Sequence, residues 1–537
     1  MKNILFVFIF ISIWLNELLS QPKLLKDIYQ FSSSKSFNPE QMLIGNTLYF
    51  IAKSKDEGNE LWATDGTSAN TRLVKNISLS KIDDGDPHQL TNFNNSLFFT
   101  AYHEDSGREL WTSDGSESGT TLVKDIFIGP SGSFLSNELG SFVEYQGQLY
   151  FGASGSFIID RELFVSDGTN QGTKIVADFL QSGGLNPVNI IIFKNKLFFS
   201  GISESGFGTQ LMSYDKVTNQ ITTIKKISPN GSSVSDLIGA KDYFLFLASD
   251  ATYGKEIYVS DGTANGTKLL KDLNPGTASS TVSFYSAIAN KVFFCLNGIL
   301  YVTDGTANGT TNLNFNCPTA SIVNVGEFYF AATNPTNNLG VELYKSDGTL
   351  NGTSLIKDIN TGVASSSPGN FTFIKNKLYF SATTPNAGME LWESNGTEIG
   401  TRLLGEIRPG VDGSNISRMI AINENLIFMY ANDGLTGDEP WIYEIPKTKV
   451  HEEYQTSFQL QAFPDHWMLL PDGKSDFKGV VDIRILDLRG RIILEQKFQN
   501  QEFVNGVRIN KPILNGLYLV SLESLGVTGM IKALVVN

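Results

Sequence analysis

Thirteen carboxylates recur at matched places along this chain, and they are the residues whose type and spacing could do chemistry. Glu60, Glu109, Glu162, Glu256, Glu342, Glu390 and Glu439 each stand two residues before an aromatic residue. Asp65, Asp114, Asp167, Asp261, Asp304 and Asp347 each precede a glycine. Two carboxylates held at a set separation would serve glycoside hydrolysis. Aspartate oxygens joined by further donors would serve calcium. His88 lies near Asp83, Asp84 and Asp86, and His103 is followed by Glu104 and Asp105, so a polar site there is conceivable. Cys295 and Cys317 could oxidise in an exported protein, or could remain two small buried hydrophobes.

Recurrence argues against the catalytic readings. A catalytic constellation is needed once, whereas these acids occupy equivalent places in successive units. A structural role is therefore expected for the glutamates, and hydrogen-bonded turns for the aspartates. Each turn offers one acid plus hydroxyls and carbonyls, too few oxygens for an obvious calcium cage. The two histidines are expected to be exposed loop residues. No Gly-x-Ser-x-Gly elbow, phosphate loop or His-Glu-x-x-His string is visible. No catalytic, cofactor-binding or metal-ligating residue is assigned, and no cofactor is expected.

The elements that carry these acids follow from the period. The anchor residue falls at Trp62, Trp111, Phe164, Met212, Tyr258, Tyr301, Tyr344, Trp392 and Trp441, with gaps of 49, 53, 48, 46, 43, 43, 48 and 49 residues. In the second unit, runs at Gln89 to Phe93, Leu97 to Tyr102, Glu109 to Ser113 and Thr121 to Ile126 read as strands. Asn94-Asn95 suits a two-residue hairpin, and Asp-Gly-Thr-x-x-Gly-Thr supplies a longer one. Four antiparallel strands per 40–50 residues describe a β-propeller blade. The fold class is thus all-β, a propeller of about nine four-stranded blades over residues 22–445. Nine exceeds the usual four to eight blades, so the chain makes one uncommonly large ring, a ring with one unit outside it, or two smaller rings; one ring is preferred, because no linker precedes the divergent units. The fourth and sixth units depart most, reading Gln210-Leu211-Met212 and Ile299-Leu300-Tyr301.

One string points to how the ring closes. Leu122 to Ile126 reads Leu-Val-Lys-Asp-Ile, and Leu24 to Ile28 reads Leu-Leu-Lys-Asp-Ile. The last unit supplies three strands and no fourth. Residues 24–28 are expected to complete it.

With these strings in view, the units resemble the bacterial ELWxxDGT repeat family, whose string stands whole at residues 60–67. The resemblance covers roughly residues 24–445 and implies an exported bacterial protein. After a polar linker, 446–457, residues 458–537 form a second module, expected to be a small β-sandwich. It resembles the C-terminal type A sorting domain of the type IX (Por) secretion system of Bacteroidetes. The matching strings are Asp487-Leu488-Arg489-Gly490-Arg491, Leu514 to Val520 and Lys532 to Val536, while the opening Pro-Asn-Pro string is degraded to Phe463-Pro464-Asp465-His466. That resemblance implies the type IX machinery as a partner through residues 458–537.

Targeting and charge bound the function. Lys2, the apolar run Ile4 to Trp14 and Ser20 read as a signal peptide over residues 1–20, cleaved near Ser20. No later segment reaches 18 consecutive apolar residues, so no transmembrane segment is expected in the mature chain. Lys and Arg number 41 against 55 Asp and Glu, a net charge of −14 that disfavours a nucleic-acid partner. The expectation is a secreted or outer-membrane-surface protein. Its ring would be a non-catalytic binding or adhesion module, with a glycan or protein ligand on loops such as Ile128 to Ser136 and Pro275 to Val282. The alternative is a secreted polysaccharide-degrading enzyme, a glycosidase or lyase, on the same scaffold. Four Asn-Gly-Thr sequons, at 265–267, 308–310, 351–353 and 395–397, are by-products of the turn consensus.

Overall fold

The computed structural model describes residues 21–29, 37–78, 84–134, 142–155, 161–176, 184–203, 208–228, 232–324, 326–446, 458–462, 466–471, 480–486, 492–499, 507–510, 516–524 and 527–535. The signal peptide, Asp83, residues 447–457 of the linker and the strings at 463–465, 487–491 and 514–515 lie outside them.

Blade two shows how the sequence builds a blade. Its strands are His88–Phe93, Ser96–His103, Gly107–Ser113 and Thr121–Lys124, each antiparallel to the next. Asn94 and Asn95 take φ of 53° and 59°, the left-handed backbone that a two-residue hairpin needs. The register sets Phe99 opposite Trp111 and Thr100 opposite Leu110. Leu97 to Ala101 are all buried, because a blade packs against a neighbour on both faces. The outer strand stops at Lys124, two residues short of the expected Ile126, because Phe127 turns its N–H to Glu109 instead.

Nine such sheets follow one another among the described residues. Both divergent units are complete blades. The fourth adds a short fifth strand, Ser232–Ser233, parallel to Gly208–Asp215. In the sixth, Cys295 and Cys317 form a disulfide with Cα atoms 5.4 Å apart.

The ring is single and closed. Nine apolar clusters each join two neighbouring blades. One of them unites the last blade with the first, setting the Phe428 ring 5.3 Å from that of Phe50. In the last blade, Ser417–Asn423, Leu426–Asn432 and Asp438–Glu444 are joined by Lys23–Leu24 as the outer strand. Lys23 pairs with Ile442 and Leu24 with Trp441. Leu25 then donates its N–H to Pro440 O at 2.8 Å.

Lysines clasp successive blades from outside. Lys75, Lys124, Lys225 and Lys357 each reach a carbonyl of the next blade's turn, at Thr120, Thr173, Thr267 and Thr401, over 2.6–2.9 Å. Lys26 does the same to Thr71 across the closure.

The second unit, Pro446–Asn537, holds two antiparallel sheets. One contains Phe458–Ala462, His466–Pro471 and Val507–Asn510. The other contains Ile492–Gln499, Val480–Leu486, Gly516–Ser524 and Val527–Val535. Ile483 and Ile485 are buried, as the period-two alternation requires. Among the described residues no helix is long and apolar enough to cross a membrane.

Candidate functional site

The recurrent glutamates come first. Each opens the third strand of its blade, with its side chain on the sheet face that also carries the aromatic anchor. All seven are buried, and six of them expose no surface at all. Their oxygens are taken up by the segment that leaves the outer strand for the next blade. Glu342 accepts the N–H groups of Ile359 and Ser366 at 2.9 Å each and the Ser366 hydroxyl at 2.5 Å. Glu390 accepts from Ile407 N, Arg408 N and Ser414 Oγ at 2.8–3.1 Å. Glu109 accepts from Phe127 N and Ser133 Oγ at 3.1 and 2.5 Å. Glu60 accepts from Ile77 N and Gly85 N at 3.1 and 2.9 Å. Glu162 and Glu256 accept from Leu185 N and Ser280 Oγ. Glu439 accepts from Ile28 N and Tyr29 N at 2.9 and 3.2 Å, so the N-terminal segment occupies the same place as the other exit segments.

Burial dominates the electrostatics of this tie. It pushes Glu60 and Glu109 up to about 7, although the donors pull the other way. Glu256, Glu342 and Glu390 are raised for the same first reason. A carboxyl enclosed by its own loop has no path to a substrate. These bonds give the glutamates the structural role expected of them.

The aspartates close the turns. Asp114 Oδ1 accepts the N–H and the hydroxyl of Ser116 at 2.8 and 2.7 Å. Asp65, Asp167, Asp261, Asp304 and Asp347 repeat this with the threonine two residues on. The hydroxyl bonds hold Asp65, Asp114, Asp167, Asp261 and Asp347 below the usual carboxylate range. The turn has a second feature, which the sequence reading misses. The hydroxyl before each Asp meets the Thr at the end of the motif, as in Ser113 with Thr120 at 2.7 Å. It also accepts the turn glycine's N–H, Gly115 to Ser113 Oγ, at 3.0 Å. Its signal is the constant Ser or Thr in front of Asp-Gly.

His88 departs from expectation. It is not a free loop residue but a half-buried bridge between the inner strands of blades one and two. Its Nδ1 lies 2.9 Å from Glu40 Oε1 and its Nε2 3.2 Å from Asp86 Oδ2. Arg108, buried, donates to the same Asp86 oxygen at 2.8 Å and to the Asp86 carbonyl at 2.6 Å. Hydrogen bonds to Asp86 and then Glu40 push the imidazole up to about 9, so it is a cation near neutrality and not a base. Burial opposes ionisation of Asp86, but His88 and Arg108 hold it low. Two acids and two cations balance in charge. Glu40 was findable, since it precedes His88 by one repeat period. His103 joins another group: its Nδ1 accepts Asp105 N–H at 3.2 Å, and its ring lies 6.1 Å from that of Trp111.

The two histidine loops do share a face, since Tyr102 N donates to Gly85 O at 2.7 Å. The loop joining strands two and three also abuts the exit segment of its own blade. A Cβ on Gly107 would collide with the backbone of Gly132 and one on Gly132 with that of Arg108, while Cβ atoms on Gly388 and Gly413 would each collide with the other's backbone. All four have positive φ. The face is therefore a set of rigid paired loops whose tips project aliphatic groups. Ile128, Val363, Val411 and Leu435 are 87%, 74%, 72% and 86% exposed. Val363, Val411 and Leu435 belong to the exits of blades seven and eight and to blade nine, in consecutive order. Of the two loops named from sequence, Ile128 to Phe134 and Pro275 to Val282 lie on this face; residues 135 and 136 fall outside the described chain.

No family model and no curated protein matches the chain. Solved structures similar to it include the Niastella koreensis GH74 enzyme, at 12% identity over 91% of this chain and 82% of that one, with a TM-score of 0.30. Oligogalacturonate lyase in complex with manganese is similar at 10% identity over 56% of this chain and 86% of that one, TM-score 0.33. Puromycin hydrolase is similar at 12% identity over 64% of this chain and 58% of that one, TM-score 0.33. At these scores the likenesses transfer no residue role.

Proposed function

We propose that the ring is a non-catalytic binding or adhesion module, displayed on the cell surface or secreted, with its ligand on the face of paired loops. One observation carries the reading. The recurrent glutamates are used up inside the blades, holding exit segments in place, while Ile128, Val363 and Val411 at the tips of such segments and Leu435 in the neighbouring loop of blade nine are exposed aliphatic side chains. A rigid scaffold with projecting loop tips suits recognition of a glycan or protein surface. The resemblances of residues 24–445 to ELWxxDGT repeats and of residues 458–537 to a type IX sorting domain support the route of export, with the signal peptide serving the inner membrane.

The test uses the chain from Gln21 to Asn537 on glycan and host-protein arrays, alongside assays for reducing ends and unsaturated uronates. Retention without product supports the proposal. Release of either product supports a glycosidase or lyase instead. Val411→Asp with Leu435→Asp is expected to weaken retention about tenfold or more, equivalent to roughly 1.4 kcal/mol, with the melting midpoint unchanged. Deleting residues 458–537 in a host with the type IX route is expected to leave the ring in the periplasm.

A further inference from the structure

Blade six lacks the carboxylate tie. The register places Ile299 opposite Leu296, where blade seven places Glu342 opposite Ala332. The hairpin between strands two and three is cut to Asn297-Gly298, between Lys291–Leu296 and Ile299–Thr303, so no paired loop stands over the exit. The outer strand, Thr311–Asn316, runs on without an acid at its end. Phe315 is buried instead, its ring 5.4 Å from that of Phe330 and 4.8 Å from that of Tyr344.

Cys317 is the first residue of this exit segment. In blades one, two, seven and eight, an exit residue gives its N–H to the glutamate, as Ile77, Phe127, Ile359 and Ile407 do. Here Cys317 N donates to Gly298 O at 2.9 Å, and the sulfur is bonded to Cys295 in the second strand. Thr319 N then reaches Ala331 O at 2.9 Å, which leads the chain into the inner strand of blade seven, Ala320–Asn324.

We infer that the Cys295–Cys317 disulfide is the covalent counterpart of the glutamate tie, and that it makes one exit segment of the ring sensitive to thiol reductants while the others are not. The inference is independent of the ligand. A dithiol such as dithiothreitol supplies the two electrons and two protons. One of its thiolates attacks a cysteine sulfur, the S–S bond breaks, the second thiolate displaces the mixed disulfide, and the reagent leaves as a cyclic disulfide with both cysteines as thiols. The carboxylate ties contain no reducible bond.

Thiol titration and hydrogen exchange by mass spectrometry, on the full mature chain before and after dithiothreitol, test this. The untreated protein is expected to show no free thiol and the treated protein two. Exchange across residues 317–322 is expected to speed by about tenfold or more on local opening, with 127–134, 359–366 and 407–414 unchanged. A bond that resists the reagent in the native fold would overturn the reductant sensitivity, and the double substitution Cys295→Ser, Cys317→Ser tests the tie by itself. The reverse arm is Glu342→Ala, which is expected to open 359–366 and leave 317–322 protected. Free thiols in the untreated protein, unchanged exchange at 317–322 once the bond is gone, or acceleration spread evenly round the ring would each overturn the inference.

Discussion

Glu109 and Asp114 sit five residues apart and separate two kinds of acid. Removing the Glu109 side chain leaves Phe127 N–H and the Ser133 hydroxyl without their acceptor in a buried place. Leaving buried donors unpaired is expensive, so Glu109→Ala is expected to lose roughly 2–4 kcal/mol in urea unfolding. Asp114 is exposed and its donors can turn to water. Asp114→Ala is expected to lose about 1 kcal/mol. Equal losses would mean that burial does not distinguish the two. The structural role of these acids was legible in their recurrence. Their partners were not, because Ser133 lies 24 residues beyond Glu109 in a loop with no regular pattern. The His88 site was legible only in part: Glu40 stands one repeat period before it, whereas Arg108 reaches Asp86 from another strand with no such spacing.

At the scale of the element, the strand that closes the ring is the most exposed to test. Leu25 and Ile28 are buried in the cluster that joins the last blade to the first, and Glu439 takes two N–H groups from the same segment. Burying two aliphatic side chains contributes roughly 3–6 kcal/mol. Deletion of residues 22–28 is therefore expected to lower the melting midpoint markedly in calorimetry, while Lys23→Ala, at an exposed ion pair with Glu444, should leave it nearly unchanged. An unaltered melting curve after the deletion would remove the closing role. This element could be read from sequence because one string occurs where no blade precedes it. The lysine clasps could not, since a lysine in an outer strand looks solvated until the neighbouring turn is placed beside it. The fifth strand of blade four was equally hidden, its Ser232-Ser233 having no strand pattern of its own.

For the molecule as a whole, the buried ties act together on the pH dependence. Glu60 and Glu109 have folded values raised to about 7 from an ordinary 4.5. For an acid raised in the fold, the contribution to stability is complete below the unfolded value and is lost as pH rises through the folded one. His88, raised to about 9, acts in the same direction at higher pH. The turn aspartates have lowered values, so their contribution is present above 3.8 and is lost as pH falls below it. The melting midpoint is expected to peak at mildly acidic pH and to fall between about pH 5 and about pH 8. A midpoint that climbs across that interval would mean the ties are ionised in the fold. The blade count and the period agreed because a four-stranded sheet fixes the length of its own repeat. In the second unit, the alternation read from Val481 to Leu488 is met by the buried Ile483 and Ile485. Finally, Lys23 and Glu444 are 421 positions apart in the chain yet side by side in the last sheet. The closing strand must therefore wait for the last strand of the ring before it has a partner. The entropy of joining so distant ends grows only slowly with their separation, so the delay is a matter of rate more than of stability. Until then the last blade offers a bare edge to any other chain within reach, which makes the interval before sealing the period of greatest risk from aggregation.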